Sequence, residues 1–163
     1  DELEPAMAAL TGDVTATATQ IGLERPDMAL TFNGIAQGYI TDRVAALLVD
    51  DGFAEMFVDL GEMRATVRQA PGRRWRVRPA GATDAPAIEL DRRAMAISEP
   101  APGSKAVAPV HLLDPDEGEP PASPRRTTVV AMFVLRAGAA STAIAIRPHL
   151  SAELARRLGM INA

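Results

Sequence analysis

The segment His111–Gly118 carries the residue types best suited to proton transfer in this sequence, an imidazole followed by an Asp-Pro turn and a glycine. Such a segment can place the imidazole of His111 and the carboxylate of Asp114 on one rim, and histidine is the usual proton acceptor near neutral pH. The same residues also fit a strand that ends in an acidic turn with a surface histidine, and the segment alone leaves both interpretations open. The second histidine, His149, follows Pro148 and is expected at the surface.

Two glycine-containing segments have the residue types that can receive a ligand. Asn33–Tyr39 joins a predicted strand to a helix N-terminus, where unpaired N–H groups and the helix dipole favour an anion such as a diphosphate. In Ala137–Ala143, Gly138 and Thr142 lie one helical turn apart, and small residues there admit a ligand or another backbone. An ordinary strand-to-helix turn and close helix packing explain the two segments at least as simply, so neither identifies a site by itself.

The composition of the 163-residue chain argues against several classes of protein. Its net charge of −4 argues against nucleic-acid binding, and the absence of cysteine excludes disulfides, thiolate metal sites and cysteine nucleophiles. No apolar stretch approaches the roughly 20 residues that span a bilayer, and no GxSxG, Walker A, HExxH or Rossmann fingerprint is present. Two charged clusters are expected to be solvated surface, since the acidic one lacks the spacing of a calcium loop. They are Asp114, Asp116, Glu117 and Glu119, and Arg73, Arg74, Arg76 and Arg78.

Helices are predicted on both sides of these segments. The clearest begins near Asn33–Tyr39 and ends at the left-handed cap Gly52. Its predicted apolar stripe contains Ala36, Ile40, Val44, Leu47 and Leu48. The other predicted helices are Asp1–Leu10, Ala137–Ile146 before Pro148, and Ala152–Leu158 with Ser151 as N-cap and Gly159 as C-cap.

Short strands occupy much of the remaining chain. Met56–Val77 is expected to form a hairpin-rich sheet, and Ala87–Leu90 is expected to pair with Arg93–Ile97. Groups of strands interrupted by helices predict the α+β class, with a mixed, mainly antiparallel sheet and a few helices in a single domain over residues 1–163. The other predicted strands are Val14–Leu23, Met28–Phe32, Val110–Leu113 and Thr127–Leu135, the last rich in β-branched residues.

Taken in order, the motifs resemble the FAD:protein FMN transferase family, known as ApbE flavin transferases. Six segments between about residues 28 and 146 follow the family order. The amino-acid sequences of Asn33–Tyr39 and Val58–Glu62 are most similar to the NosX-like branch. The resemblance implies an ApbE-like fold without the N-terminal part of the family's usual length. The six segments are Thr31–Tyr39 with Asp42-Arg43, Leu60–Ala65, Trp75–Val77, Ala94–Ser98, His111–Gly118 and Ala137–Ala143.

The resemblance implies a transfer of FMN from FAD to a Thr or Ser hydroxyl of an acceptor protein, with release of AMP. His111 would be the catalytic proton acceptor, and Asp114 would shape its loop. Thr31, Gln37 and Leu112 fall at FAD-contacting positions, and the carbonyl of Gly34, Gly138 and Thr142 fall at the positions that bind Mg²⁺. The implied location is the periplasm. The implied acceptor is a NosR-like membrane protein that takes part in the maturation of nitrous oxide reductase.

The sequence departs from the family pattern at several site positions. The metal-binding Asp of the family is Gly138 here, so we expect Mg²⁺ to be held weakly. Thr31 replaces an acidic residue, Gln37 replaces a lysine, and one glycine is missing before Glu62. Gly138 motivates a second hypothesis, a flavin-binding module without transferase activity. A third hypothesis, an assembly domain that has lost flavin, is compatible with the acidic surface and the proline-containing loops.

Overall fold

The computed structural model of the protein describes residues 14–24, 26, 28–67, 72–79, 86–99, 112–114, 120–121 and 125–159. The chain divides into two compact units, residues 1–33 and residues 34–163. The predicted helix over Asp1–Leu10 lies outside the described residues, and so does the catalytic candidate His111.

Among the described residues of the first unit, a short β-hairpin is present. Strand β1 (Val14–Ala16) pairs antiparallel with β2 (Ile21–Leu23). The predicted single strand Val14–Leu23 is therefore wrong, because the Thr17 hydroxyl accepts the N–H of Gln20 at 3.0 Å and closes a turn between the two halves. The strand predicted at Met28–Phe32 is also absent, and these residues run without regular structure to the next helix.

The second unit contains a four-stranded antiparallel sheet with the strand order β3-β4-β7-β8. Strands β3 (Phe57–Asp59) and β4 (Met63–Ala65) form the predicted hairpin, which turns at Gly61 with a φ of 95°. In its other half, β7 (Ala94–Ser98) pairs with both β4 and β8 (Thr127–Ala131). All pairings among the described strands are antiparallel, which with the helices confirms the α+β class.

A separate two-stranded sheet joins β5 (Trp75–Val77) to β6 (Ile88–Leu90). The predicted pairing of Ala87–Leu90 with Arg93–Ile97 is therefore wrong, and β5 does not continue the sheet of β3 and β4. The chain passes from one sheet to the other at Arg92, whose φ of 51° lies in the left-handed region. A core of four buried side chains connects the two sheets: Ala65, Leu90, Met95 and Val130.

Helix α1 (Asn33–Asp50) buries small residues rather than the predicted apolar stripe. Gly38, Thr41 and Ala45 face inward, whereas Ile40 and Leu47 are more than half exposed. The reason is close contact with the next helix, since a Cβ atom on residue 38 would lie 2.8 Å from the backbone nitrogen of Leu135. The predicted cap at Gly52 is confirmed by its φ of 95°.

Helix α2 (Val134–Ile146) packs on β7 and β8 and is rich in small buried residues. It begins three residues earlier than predicted, and the strand predicted over Thr127–Leu135 ends at Ala131. Alanine and glycine allow neighbouring elements to lie close to the helix. The buried residues include Ala137, Gly138, Ala139, Ala140, Ser141 and Ala143, which go around the whole circumference of the helix.

A 3₁₀ turn (Pro148–Leu150) leads directly into helix α3 (Ser151–Leu158). Ser151 is therefore the first helical residue rather than the N-cap, a position that Leu150 takes. Gly159 ends α3 with a φ of 60°, as predicted. The last two residues of the strand predicted at Val110–Leu113, Leu112 and Leu113, are described without strand structure.

Candidate functional site

The three residues at the family's metal positions come together where α1 lies against α2. A Cβ atom on Gly34 would lie 3.5 Å from the hydroxyl oxygen of Thr142. A Cβ atom on Gly138 would lie 3.2 Å from the carbonyl oxygen of Gly34. Because Gly138 and Thr142 are one turn apart on α2, a carbonyl and a hydroxyl border a small space that residue 138 leaves free.

A chain of hydroxyl groups crosses from β7 to α2 beside this space. The Ser98 hydroxyl lies 2.8 Å from that of Ser141 and 3.2 Å from that of Thr142. Ser141 is fully buried and also donates to the carbonyl oxygen of Gly138 at 3.0 Å. Ser98 therefore orients the Thr142 hydroxyl. The sequence motifs include Ser98 and Ser141 but do not single them out, because only the packing of α2 on β7 brings them together.

The carboxylate of Glu62 enters the same space from the β3–β4 turn. Its Oε1 lies 2.8 Å from the point that a Cβ atom on Gly138 would occupy, and its Oε2 lies 2.8 Å from the corresponding point on Gly38. Oε2 is buried and has no hydrogen-bond partner among the described residues. Burial raises the pKa of Glu62 to about 7, and the negative charge of Asp42 adds to the effect. Sequence reasoning missed Glu62 as a site residue.

The turn that carries Glu62 is held against α1 by Gln37. The side-chain amide of Gln37 donates to the carbonyl oxygen of Leu60 at 2.5 Å. Gly61 follows with a positive φ, and a side chain there would collide with the Gln37 amide. The N–H of Gly61 also donates to the carboxylate of Asp59 at 3.0 Å. Gln37, a predicted FAD-contacting residue, therefore positions the turn in this structure.

Asp42 connects α1 to the start of α2. Its Oδ2 accepts the N–H of Leu135 at 3.0 Å, and its Oδ1 lies 3.8 Å from Nε of Arg64. An acceptor at the first turn satisfies a backbone donor that has no partner within the helix. The guanidinium of Arg64 lies over the ring of Phe133 at 5.1 Å from its centroid. These contacts fix the position of α2, and with it Gly138 and Thr142, relative to α1.

Near the end of α2, Asp114 binds Arg147 through two hydrogen bonds. Nε of Arg147 donates to Oδ2 at 2.9 Å, and an Nη of the same guanidinium donates to Oδ1 at 2.5 Å. This bidentate pair attaches the segment 112–114 to the C-terminal end of α2. The role predicted for Asp114 in shaping the loop of His111 stays a prediction, because His111 lies outside the described residues. Leu112 in the same segment is buried, and its contact with FAD stays a prediction.

The remaining predicted residues belong to the first unit, lie at the surface or fall outside the described residues. Thr31 belongs to the first unit, where its hydroxyl accepts the N–H of Asn33 at 3.3 Å. His149 is exposed, as predicted, and so are the arginines at 73, 74, 76 and 78. Asp116, Glu117 and Glu119 lie outside the described residues. Within the described ranges, no three His, Asp or Glu side chains lie close enough together to hold a metal ion among themselves, and no helix is both long and apolar enough to cross a bilayer.

Comparison with known proteins gives a consistent result. The model of the ApbE family matches residues 1–162. The apo form of the flavinyl transferase ApbE of Pseudomonas stutzeri is 29% identical, with a TM-score of 0.71 over 98% of this chain and 53% of its own. The flavin transferase ApbE of Vibrio cholerae is 23% identical, with a TM-score of 0.69 over 98% of this chain and 55% of its own.

A third solved structure, the ApbE protein of Thermotoga maritima, is 23% identical and has a TM-score of 0.68. It is matched over 96% of this chain and 54% of its own length. The chain therefore spans about half the length of the solved structures that it matches. No sequence among the curated proteins matches it.

Proposed function

Because the chain belongs to the ApbE family, we propose that it acts in the transfer of FMN from FAD to a Thr or Ser hydroxyl of an acceptor protein. The observation that carries the proposal is the convergence of the Gly34 carbonyl, the space at Gly138 and the Thr142 hydroxyl, three family positions from two helices. We propose a periplasmic location and a NosR-like membrane protein as acceptor, on the resemblance to the NosX-like branch.

The proposed reaction is a displacement at the FMN-side phosphorus of FAD. The acceptor hydroxyl oxygen bonds to this phosphorus, the bond from phosphorus to the bridging diphosphate oxygen breaks, and AMP leaves. His111 takes the hydroxyl proton, a role for which an imidazole is suited near neutral pH. The N-terminus of α1 would receive the diphosphate, because backbone N–H groups and the helix dipole there attract anions.

The donors near Gly138 fit a small divalent cation. A carbonyl oxygen, a hydroxyl oxygen and a carboxylate are the oxygen ligands that Mg²⁺ accepts, and the buried Glu62 Oε2 has no hydrogen-bond partner among the described residues. Mg²⁺ bound there would neutralise charge on the diphosphate and the leaving group. Ser98 holds the Thr142 hydroxyl in place, and Asp114 and Arg147 hold the segment that follows His111.

The test is an FMN-transfer assay with FAD, Mg²⁺ and an acceptor domain that carries a family-type Thr motif. Flavin fluorescence on the denatured acceptor reports the covalent product. We expect the signal to require both FAD and divalent metal, and His111→Ala to abolish it. His149→Ala is the matched control, because it removes the only other histidine from an exposed position and should leave the rate unchanged.

Two outcomes contradict the proposal in different ways. Bound FAD without transfer, with transfer appearing only after Gly138→Asp, would identify a flavin-binding module, the reading that the missing carboxylate at residue 138 favours. No FAD binding at all would favour an assembly domain that has lost flavin. A rate unaffected by His111→Ala would remove His111 from the mechanism and leave the transferase activity itself standing.

A further inference from the structure

The site lacks a carboxylate at residue 138, yet a carboxylate occupies the space next to it. Glycine at 138 leaves an opening on α2 that is bordered by the Gly34 carbonyl oxygen, 3.2 Å from the point where a Cβ would lie. Both oxygens of Glu62 are near this point, Oε1 at 2.8 Å and Oε2 at 3.2 Å. A larger residue at 138 would require the Glu62 carboxylate to shift, so the two side chains compete for the opening.

We propose that Glu62 supplies, from the β3–β4 turn, the carboxylate ligand of a divalent-cation site that also uses the Gly34 carbonyl and the Thr142 hydroxyl. The inference rests on the proposed function and assigns to this chain a ligand that does not come from α2. The carboxylate that the family places at position 138 of α2 is thus replaced by one from the β3–β4 turn, next to the same small space.

The hydrogen bonding around Glu62 supports this role. A buried carboxylate oxygen is expensive unless a donor or a cation compensates its charge. Oε2 of Glu62 is buried and accepts no hydrogen bond within the described part of the chain.

Asp42, the nearest other carboxylate, is already engaged and is therefore a poor candidate for the ligand. It accepts the N–H of Leu135 at 3.0 Å and lies beside Arg64. Its loss would release the start of α2. Glu62 differs because the rest of its turn is held independently, through the bond from Gln37 to the Leu60 carbonyl. This bond places the carboxylate at Gly138 while leaving its oxygens available to a cation.

Cation binding is measured directly with Mn²⁺, whose free and bound forms differ in electron paramagnetic resonance. The wild-type protein should bind one Mn²⁺ that Mg²⁺ displaces. Glu62→Gln keeps the shape of the side chain and removes its charge. Mutation of residues that hydrogen-bond to metal ligands typically lowers metal affinity by at least about tenfold. Loss of a ligand itself should lower it no less, so we expect Glu62→Gln to weaken Mn²⁺ binding by at least about tenfold. Glu55→Gln, which removes a carboxylate from an exposed position before β3, is the control and should bind as wild type.

An exchange of the two positions makes the test independent of any damage to the fold. Glu62→Ala should lose Mn²⁺ binding, and Glu62→Ala with Gly138→Asp should regain it, because the carboxylate returns from α2 to the vacated space. The inference is overturned if wild type binds no Mn²⁺, if Glu62→Gln binds as tightly as wild type, or if the double variant recovers nothing while circular dichroism shows it folded.

Failure of this inference and failure of the proposed function give different results. If Mn²⁺ binding depends on Glu62 but no FMN reaches the acceptor, the cation site stands and the transferase does not. If Glu62→Gln transfers FMN with the same dependence on Mg²⁺ concentration as wild type, the transferase stands and the Glu62 ligand does not.

Discussion

Two glycines on one helix should respond in opposite directions to the same substitution. Gly34 and Gly38 both lie in α1, one turn apart, and alanine is intrinsically favoured over glycine in a helix by about 0.5–1 kcal/mol. At Gly34 a Cβ would find Thr142 atoms at 3.5–3.7 Å, which is ordinary contact. We therefore expect Gly34→Ala to raise the free energy of unfolding by up to about 1 kcal/mol.

At Gly38 the added atom has no space. It would lie 2.8 Å from the Leu135 nitrogen, the Val134 oxygen and Oε2 of Glu62, and the first two are backbone atoms that move only if α2 moves. Overpacking of this kind costs about 1–3 kcal/mol, more than the gain in helix propensity. We expect Gly38→Ala to lower the free energy of unfolding by about 1–2 kcal/mol and the melting temperature by about 3–8 °C in a chain of this length.

Thermal unfolding followed by circular dichroism, with chelator present, measures both variants against wild type. Gly34→Ala serves as the matched control, because helix, substitution and sequence neighbourhood are shared. If Gly38→Ala were as stable as wild type, or if both variants shifted in the same direction by similar amounts, the close approach of α1 to α2 at Gly38 would be refuted. The distances between α1 and α2 at the candidate site would then be wrong as well.

Two further predictions concern charged groups. With chelator present, the raised pKa of Glu62 means that the folded state favours the protonated carboxyl, so the contribution of this residue to stability falls as pH rises from about 4.5 to about 7. Glu62→Gln should therefore raise the free energy of unfolding at pH 8 by about 1–2 kcal/mol, after allowance for solvent screening, and leave it unchanged at pH 4. An equal stabilisation at both pH values would contradict burial as the cause of the raised pKa. Asp114→Asn should lower the free energy of unfolding by about 1–3 kcal/mol, since it removes a partly buried bidentate partner of Arg147. Glu153→Gln, which breaks the exposed pair with Arg157, is its control and should change stability by less than about 0.5 kcal/mol.

Much of the fold follows from local sequence signals. Glycine caps at 52 and 159 were predictable because each requires a left-handed backbone that glycine adopts readily. The helical stripe through Ile40 and Leu47 was misleading, because the inward face of α1 is chosen by how closely α2 approaches, which no local pattern encodes. The predicted pairing of β6 with β7 was wrong because strand partners also depend on tertiary packing. These two strands are neighbours in sequence and belong to different sheets.

The candidate site was predictable only in part. Gly34, Gly138 and Thr142 were found through the order of the family motifs, and the structure brings them together. Glu62 was not found, because its place beside Gly138 depends on the Gln37 bond to Leu60 and on the tight turn at Gly61. Ser98 was missed because its partners Ser141 and Thr142 are more than forty residues away and meet it only across the packed helix.

The buried alanines of α2 limit which substitutions the sequence can accept. Residues 137, 139, 140 and 143 are already among the smallest side chains, so mutation can scarcely remove volume there and can only add it. Each added methyl group would have to displace α2 or one of its neighbours, and the contact from Ser98 to Thr142 links α2 to β7. Substitutions at these four positions would therefore act in one direction, by adding volume around α2, and a shift of the helix would move the Thr142 hydroxyl that borders the cation space.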